Sequence, residues 1–188
     1  VAVYIFQIHL IRQLKTVSTE DNPSYGSIVN LKRVGMDGKI ISVYKFRTMH
    51  PYSEFIQKEL FENHSLNLYG KFKDDFRITS WGRVLRKLWI DELPQLYNWI
   101  RGDMTLVGVR ALSEHYFSLY PKDLQHLRTQ LKPGLLPPYY ADMPKSFDEI
   151  LESERRYLQR KQEKRYSTDI IYFWKAVINI IIHGSRSK

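Results

Sequence analysis

The sequence predicts an α+β fold, with amphipathic helices around one small β-hairpin. Three observations carry that expectation. An Asp-Gly pair inside Met36–Lys39 separates two short apolar runs, a strong hairpin signal. Beyond Ile78, apolar residues recur at helical spacing in several separate stretches. The chain of 188 residues suits one domain with a sizeable core, and it contains no internal repeat.

Composition narrows the function. Cysteine is absent, which excludes disulfides, thiolate metal sites and a cysteine nucleophile. The net charge of +9 points to an anionic partner: nucleic acid, a phosphorylated substrate or a membrane surface. Thirteen Tyr and four Trp beside basic residues suit a membrane interface, and they suit base stacking too. No apolar stretch reaches the roughly 20 residues that span a bilayer, and no signal peptide is visible.

In chain order, Val1–Leu14 is a short apolar segment interrupted by Gln7, His9 and Arg12. It reads either as a helix packed on the domain or as one embedded in a membrane. Lys15–Asn30 is polar and turn-rich, and is expected to be an exposed loop. Lys32–Met49 forms the hairpin, with Tyr44, Phe46 and Thr48 alternating with Lys45, Arg47 and Met49. Lys45 and Arg47 therefore share a face that either binds phosphate or is simply solvated. His50–Asp75 is mixed and charged, with a helix expected over Glu54–Glu62.

The most informative stretch is Ile78–Arg110, ITSWGRVLRKLWIDELPQLYNWIRGDMTLVGVR. Trp81–Ile90 predicts a helix with Val84, Leu85, Leu88 and Trp89 on one side and Arg83, Arg86 and Lys87 on the other. Pro94 clashes with the carbonyl of Ile90, so a kink or restart is expected at Asp91-Glu92. A second helix carries Leu93, Leu96, Tyr97 and Ile100. It ends at Gly102, with Arg101 suited to the negative end of its dipole. Adjacent carboxylates point about 100° apart on a continuous helix, but at a kink they can converge, one on a substrate and one on a metal ion. Arg77, Arg83, Arg86, Lys87 and Arg101 would surround them with cations suited to phosphate oxygens. The alternative is local: Asp91 as a helix cap and Glu92 in its first turn.

Asp103–Gly108 reads as a short apolar turn. Ala111–Gln130 is helical in pattern, with Tyr116, Leu119 and Tyr120 as packing residues. Ser153–Arg165 is a charged helix whose cations read as a solvated face or as a membrane-facing one. Thr168–His183, capped by Thr168 or Asp169, is apolar nearly all round. It either packs in the domain or lies in a membrane interface.

The wording of Ile78–Arg110 resembles the signature of the bacterial sugar transferases, the monotopic polyprenyl-phosphate phosphoglycosyl transferases. Upstream, KRVGMDGKIISVYKFRTM matches the family's second signature at Arg33, Gly35, Gly38, Tyr44, Lys45, Phe46, Arg47, Thr48 and Met49. LKPG (Leu131–Gly134) matches a weaker third one. The resemblance runs from about Gly26 to Gly134. It departs where the family has Pro-Arg-Pro, since this chain reads Val109-Arg110-Ala111. It departs again after Gly134, where Leu135–Ile150 replaces a stretch that carries a further arginine in the family.

The resemblance implies a monotopic, membrane-associated domain on the cytoplasmic face of a bacterial plasma membrane. Residues 1–14 would be a membrane-associated segment and 15–188 the catalytic domain. Val1–Leu14 would correspond to part of a re-entrant hairpin that bends at Ser-Pro. No such pair occurs here, so the expectation is that the chain starts near the bend, with the first arm upstream. The implied reaction moves a phospho-sugar from a nucleotide diphosphate-sugar, usually a UDP-sugar, to polyprenyl phosphate as the first membrane step of surface glycan synthesis. UMP leaves. Carried over, Asp91 is the nucleophile that forms a covalent phospho-sugar ester. Glu92, with Asp91 beside it, holds Mg²⁺. Lys45, Arg47, Arg86 and Arg110 neutralise the diphosphate. An anionic membrane surface is a further partner, and a homo-oligomer is left open. Two rivals stand beside this reading. One is a weakened relative acting as a membrane-bound scaffold in glycan assembly. The other, a nucleic-acid binder, rests on charge and aromatics without a recognised module and is set aside.

Overall fold

The hairpin is built by its turn. In a computed structural model that describes residues 26–54 and 75–183 (without the side chains of Tyr52, Glu54, Arg165 and His183), β1 (Ile28–Val34) and β2 (Ile40–Phe46) pair as a two-stranded sheet. Asp37 and Gly38 both take positive φ, 56° and 71°, and Lys39 N donates to Met36 O at 3.1 Å. That is the left-handed two-residue turn an Asp-Gly pair favours. The strand begins at Ile28, inside the stretch expected to be loop. Val1–Leu14 and most of the helix expected over Glu54–Glu62 lie outside the described residues.

Seven α-helices and two small two-stranded sheets make up the described residues, an α+β fold. They divide into two compact units. The first holds residues 26–31, 44–54 and 75–94, and the second holds 32–43 and 95–183.

In the first unit, α1 (Ser80–Lys87) is fixed at its start. Thr79 caps it by accepting from Gly82 N at 3.0 Å, and Thr79 N donates to Thr48 O at 3.0 Å. Gly82 lies so close to this backbone that a Cβ would come within 2.0 Å of Thr48 O. The contact turns Arg86 inward, and the side expected to be apolar is not a core face. Val84 and Leu88 are 46% and 59% exposed. The helix also ends earlier than Pro94 alone predicts. Leu88 closes it, Trp89 takes a left-handed conformation at φ 60°, and a 3-10 turn follows over Ile90–Glu92. A tryptophan in a position usually given to Gly or Asn leaves no cue in the sequence.

The second unit opens its long C-terminal part with α2 (Gln95–Ile100), which ends as expected at Gly102, φ 79°. Buried Asn98 donates to Ser42 O at 2.6 Å. The apolar turn expected at Asp103–Gly108 is a strand, β3 (Thr105–Val107), paired in parallel with β4 (Gly134–Leu136). Gly108 and Gly134 let the two segments touch, since a Cβ on Gly134 would meet Gly108 N at 2.1 Å. Pro121 splits the helix expected over Ala111–Gln130 into α3 (Glu114–Ser118) and α4 (Lys122–Thr129). Tyr120 is buried and Tyr116 packs beside it, whereas Leu119 is exposed.

α5 (Tyr139–Asp142), α6 (Phe147–Glu163) and α7 (Arg165–His183) complete this unit. Its core is Val107, Val109, Leu112, Tyr120, Leu124, Tyr157, Leu158 and Tyr172. The stretch read as a solvated charged helix is in fact half core. Ser153, Glu154, Tyr157, Leu158 and Lys161 are all buried. The Lys161 ammonium can lie there because it donates to the Tyr157 hydroxyl at 2.8 Å and to Val107 O at 3.2 Å, and pairs with Asp169 at 3.0 Å. Neither Thr168 nor Asp169 caps α7, which starts at Arg165. Thr168 is instead a buried side chain donating to Arg160 O at 3.1 Å.

α7 is two-faced. Thr168, Tyr172 and Ala176 are buried, and Asn179 donates to the carbonyls of Tyr140 and Ala141. Ile170, Ile171, Trp174, Ile178, Ile181 and Ile182 form an exposed apolar stripe. Among the described residues, no helix is long and apolar enough to cross a membrane.

Candidate functional site

Asp91 and Glu92 sit in the 3-10 turn that Trp89 starts. The left-handed residue breaks the helical path, so the two carboxylates are not held at the spacing of a continuous helix. Asp91 is 7% exposed. Glu92 is partly buried, and its Oε1 accepts from Lys45 Nζ at 2.5 Å. Lys45 stands near the end of β2, so the pairing ties strand to turn over a long sequence separation. That contact decides against a purely solvated strand face for Lys45. The cap reading of Asp91 also loses ground, because the 3-10 turn is preceded by Trp89 and Asp91 lies within it.

The cations expected around the dyad separate into different roles. Arg86 Nε donates to Thr48 Oγ1 at 2.9 Å, which makes the buried Thr48 a positioning group that sequence reasoning passed over. Arg47 Nε donates to Gly26 O at 2.7 Å. Arg77 is not a phosphate ligand in waiting. It is buried and held by Asp75 through bonds of 2.8 and 2.6 Å. Burial pushes the Asp75 carboxyl up, but the hydrogen bonds and charge of Arg77 outweigh it and leave Asp75 below the usual carboxylate range. Arg101 belongs to the second unit and pairs with Asp103 at 3.4 Å.

Arg110 also lies in the second unit, where its setting can be described by itself. Its Nη1 donates to the Tyr139 hydroxyl at 2.9 Å. Its carbonyl accepts from Arg128 Nη2 at 2.5 Å. Arg128 is buried, ion-paired with the fully enclosed Glu154, and lies 4.7 Å over the Tyr120 ring. Burial pushes the Glu154 carboxyl up, opposed by the charge and hydrogen bond of Arg128. Tyr139 comes from the stretch where the chain departs from the resembled family. Its only sequence signal was an aromatic pair after two prolines.

The donor chemistry at Asp91-Glu92 suits a hard cation. Mg²⁺ is commonly held by one or two carboxylates, with substrate phosphates and water completing the set. No group of three or more His, Cys, Asp or Glu among the described residues could cage a metal by itself. A metal shared with a phosphorylated substrate is therefore the kind these residues fit.

Comparison with known proteins adds an independent line. The bacterial sugar transferase family matches residues 2–183. Galactosyl transferase CpsE of Streptococcus agalactiae is 38% identical over 136 residues, 70% of this chain and 30% of that protein. Undecaprenyl-phosphate galactose phosphotransferase of Salmonella typhimurium is 40% identical over 114 residues, 58% of this chain and 24% of that protein. The uncharacterized sugar transferase EpsL of Bacillus subtilis is 42% identical over 112 residues, 58% of this chain and 49% of that protein. The chain thus spans about a quarter to a half of the length of these relatives.

Proposed function

Since this chain belongs to the bacterial sugar transferase family, we propose that it is a phosphoglycosyl transferase using a UDP-sugar as donor and polyprenyl phosphate as acceptor. The observation that carries the reading is the buried Asp91 beside a Glu92 that Lys45 holds by an ion pair of 2.5 Å. A desolvated carboxylate with an oriented neighbour is a workable nucleophile at phosphorus.

In the first step an Asp91 oxygen attacks the sugar-bearing phosphorus of the donor. The bond from that phosphorus to the bridging oxygen breaks, and UMP departs with its electron pair. In the second step an oxygen of the polyprenyl phosphate attacks the same phosphorus. The Asp91 carboxylate leaves, and a polyprenyl diphosphate-linked sugar results. Glu92 and Asp91 would hold Mg²⁺, which supplies charge neutralisation for the diphosphate and the leaving phosphate. Lys45 orients Glu92, and Arg86, turned in by Thr48, supplies positive charge, as does Arg47.

The setting we propose is the cytoplasmic face of a bacterial plasma membrane, entered without crossing. The exposed apolar stripe of α7 supports the contact with a lipid interface. The decisive experiment screens nucleotide-sugars for UMP release in the presence of polyprenyl phosphate. Release that depends on both substrates supports the reading. A folded protein that releases UMP from no donor instead favours a scaffold role, the reading motivated by Val109-Arg110-Ala111 and the altered stretch after Gly134.

A further inference from the structure

α1 is packed the opposite way from a helix that faces water. Its inward side is Gly82, seated on the Thr48 backbone, and Arg86, whose Nε donates to Thr48 Oγ1 at 2.9 Å. Its apolar side chains are left outside. Trp81 is 80% exposed, Val84 46% and Leu88, which closes the helix, 59%. These three recur at i, i+3 and i+7, the spacing that lines up one side of a helix. Arg83 and Lys87, both exposed, form the edge beside them. Among the described residues of the first unit, the exposed large apolar side chains all fall within residues 76–93, Phe76 and Leu93 being the other two.

The size and charge of this stripe select what covers it. A stable protein partner buries about 800 Å² on each side, more than three side chains on a helix of 8 residues supply. An apolar stripe with a cationic edge suits an amphiphile instead, one with a hydrocarbon tail and an anionic head. The same unit carries Asp91 and Glu92, in the turn against which α1 packs. In the transferase reading the acceptor phosphate has to reach a phosphorus held on Asp91, so the acceptor is the lipid that chemistry brings to this unit.

We propose that the exposed side of α1 is the docking surface for the polyprenyl phosphate acceptor. Trp81, Val84 and Leu88 take part of the isoprenoid tail, and Arg83 and Lys87 steer the phosphate head. The proposal deepens the transferase reading and rests on it for the identity of the lipid.

The test begins without donor. The protein is floated with phosphatidylcholine vesicles that carry either polyprenyl phosphate or the same mole fraction of phosphatidylglycerol. Wild type is compared with Trp81→Ser plus Leu88→Ser and with Arg83→Gln plus Lys87→Gln, and thermal unfolding is followed in parallel. Wild type should prefer the polyprenyl phosphate vesicles, and the serine variant should lose that preference about tenfold. Its melting temperature should stay unchanged, because the replaced side chains are exposed. The glutamine variant should weaken the preference too, most at low salt. No preference in wild type, or one that both variants keep, overturns the proposal. An equal loss on both kinds of vesicle also overturns it, since the stripe then meets bulk bilayer. So does a lowered melting temperature or the dissociation of a dimer, either of which means that the stripe packs on protein. Turnover adds a dependence on tail length. The serine variant should raise KM about tenfold for a long-chain polyprenyl phosphate, and leave KM unchanged for the nucleotide-sugar and for geranyl phosphate, whose short tail covers little of the stripe. An equal rise for both acceptors overturns the docking surface. If wild type turns over no donor, the transferase reading fails while the vesicle comparison still decides whether α1 takes this lipid.

Discussion

The Lys45 ammonium donates to Glu92 Oε1 at 2.5 Å, joining residues that lie on opposite sides of the segment carrying Thr48 and α1. The pair is partly buried on both sides, so removing the lysine leaves a carboxylate short of its partner in a low-dielectric place. We expect Lys45→Met to lower kcat/KM about 10–100-fold, the usual cost of losing a group that orients a metal-binding carboxylate. Its Mg²⁺ requirement should rise. A Mg²⁺ titration of the initial rate checks both, and an unchanged Mg²⁺ dependence would remove Lys45 from the site.

Asp91→Asn should abolish turnover and leave the fold intact, since an amide cannot form the acyl phosphate. Glu92→Gln should be severely impaired, with partial rescue by raised Mg²⁺. The donor alone should leave a phospho-sugar mass increment on the peptide containing Asp91. Rapid-quench mass spectrometry reads this directly, and its absence under strict ternary-complex kinetics counts against a covalent step.

Gly82→Ala tests the contact that seats α1. The added Cβ would lie 2.0 Å from Thr48 O, and backbone cannot step aside. We expect a loss of about 1–3 kcal/mol in urea unfolding. Activity at a temperature where the variant is folded should fall as well, because Thr48 positions Arg86.

The Asp75–Arg77 pair gives a pH signature. The folded Asp75 carboxyl lies below its unfolded value, so it binds its proton more weakly in the native state. Its contribution is therefore present above the unfolded value and is lost as pH falls through the folded one. Asp75→Asn should cost about 3 kcal/mol at neutral pH by stranding a buried guanidinium. It should also flatten the acid limb of a plot of stability against pH.

Membrane attachment should have two parts. Apolar burial, worth about 25 cal/mol per Å², is indifferent to salt, whereas each basic residue near an anionic leaflet adds roughly 1 kcal/mol that salt weakens. High salt should loosen the protein from anionic liposomes without full release. Trp174→Asp and Ile178→Asp, on the exposed stripe of α7, should lower the salt-resistant fraction in a flotation assay. Deleting residues 1–14 should lower it further. Complete release of wild type by salt alone would mean that these faces pack on protein.

Local signals were legible in the sequence because they are set by one or two residues. Asp37-Gly38 specified the hairpin turn, Gly102 the end of α2, and Asp91-Glu92 with Pro94 a break in the helical path. The family wording of Ile78–Arg110 pointed to the same dyad. What escaped was whatever depends on residues far apart in the chain. Nothing local marks Trp89 for a left-handed backbone, and the charge of Ser153–Arg165 gave no hint that Glu154 and Lys161 are buried.

The sequence by itself determined the α+β composition, the family and the adjacency of two carboxylates, because periodicity, turn chemistry and motif spacing are properties of short windows. The tertiary structure alone decided which cations are neutralised by a carboxylate and which are held by a hydroxyl or a carbonyl. Arg77 and Arg86 differ by nine positions and not at all in charge. One is neutralised by Asp75 and the other is turned to Thr48. Burial and partner choice are set by long-range packing, and a side chain's charge acquires its role only from the groups folded against it.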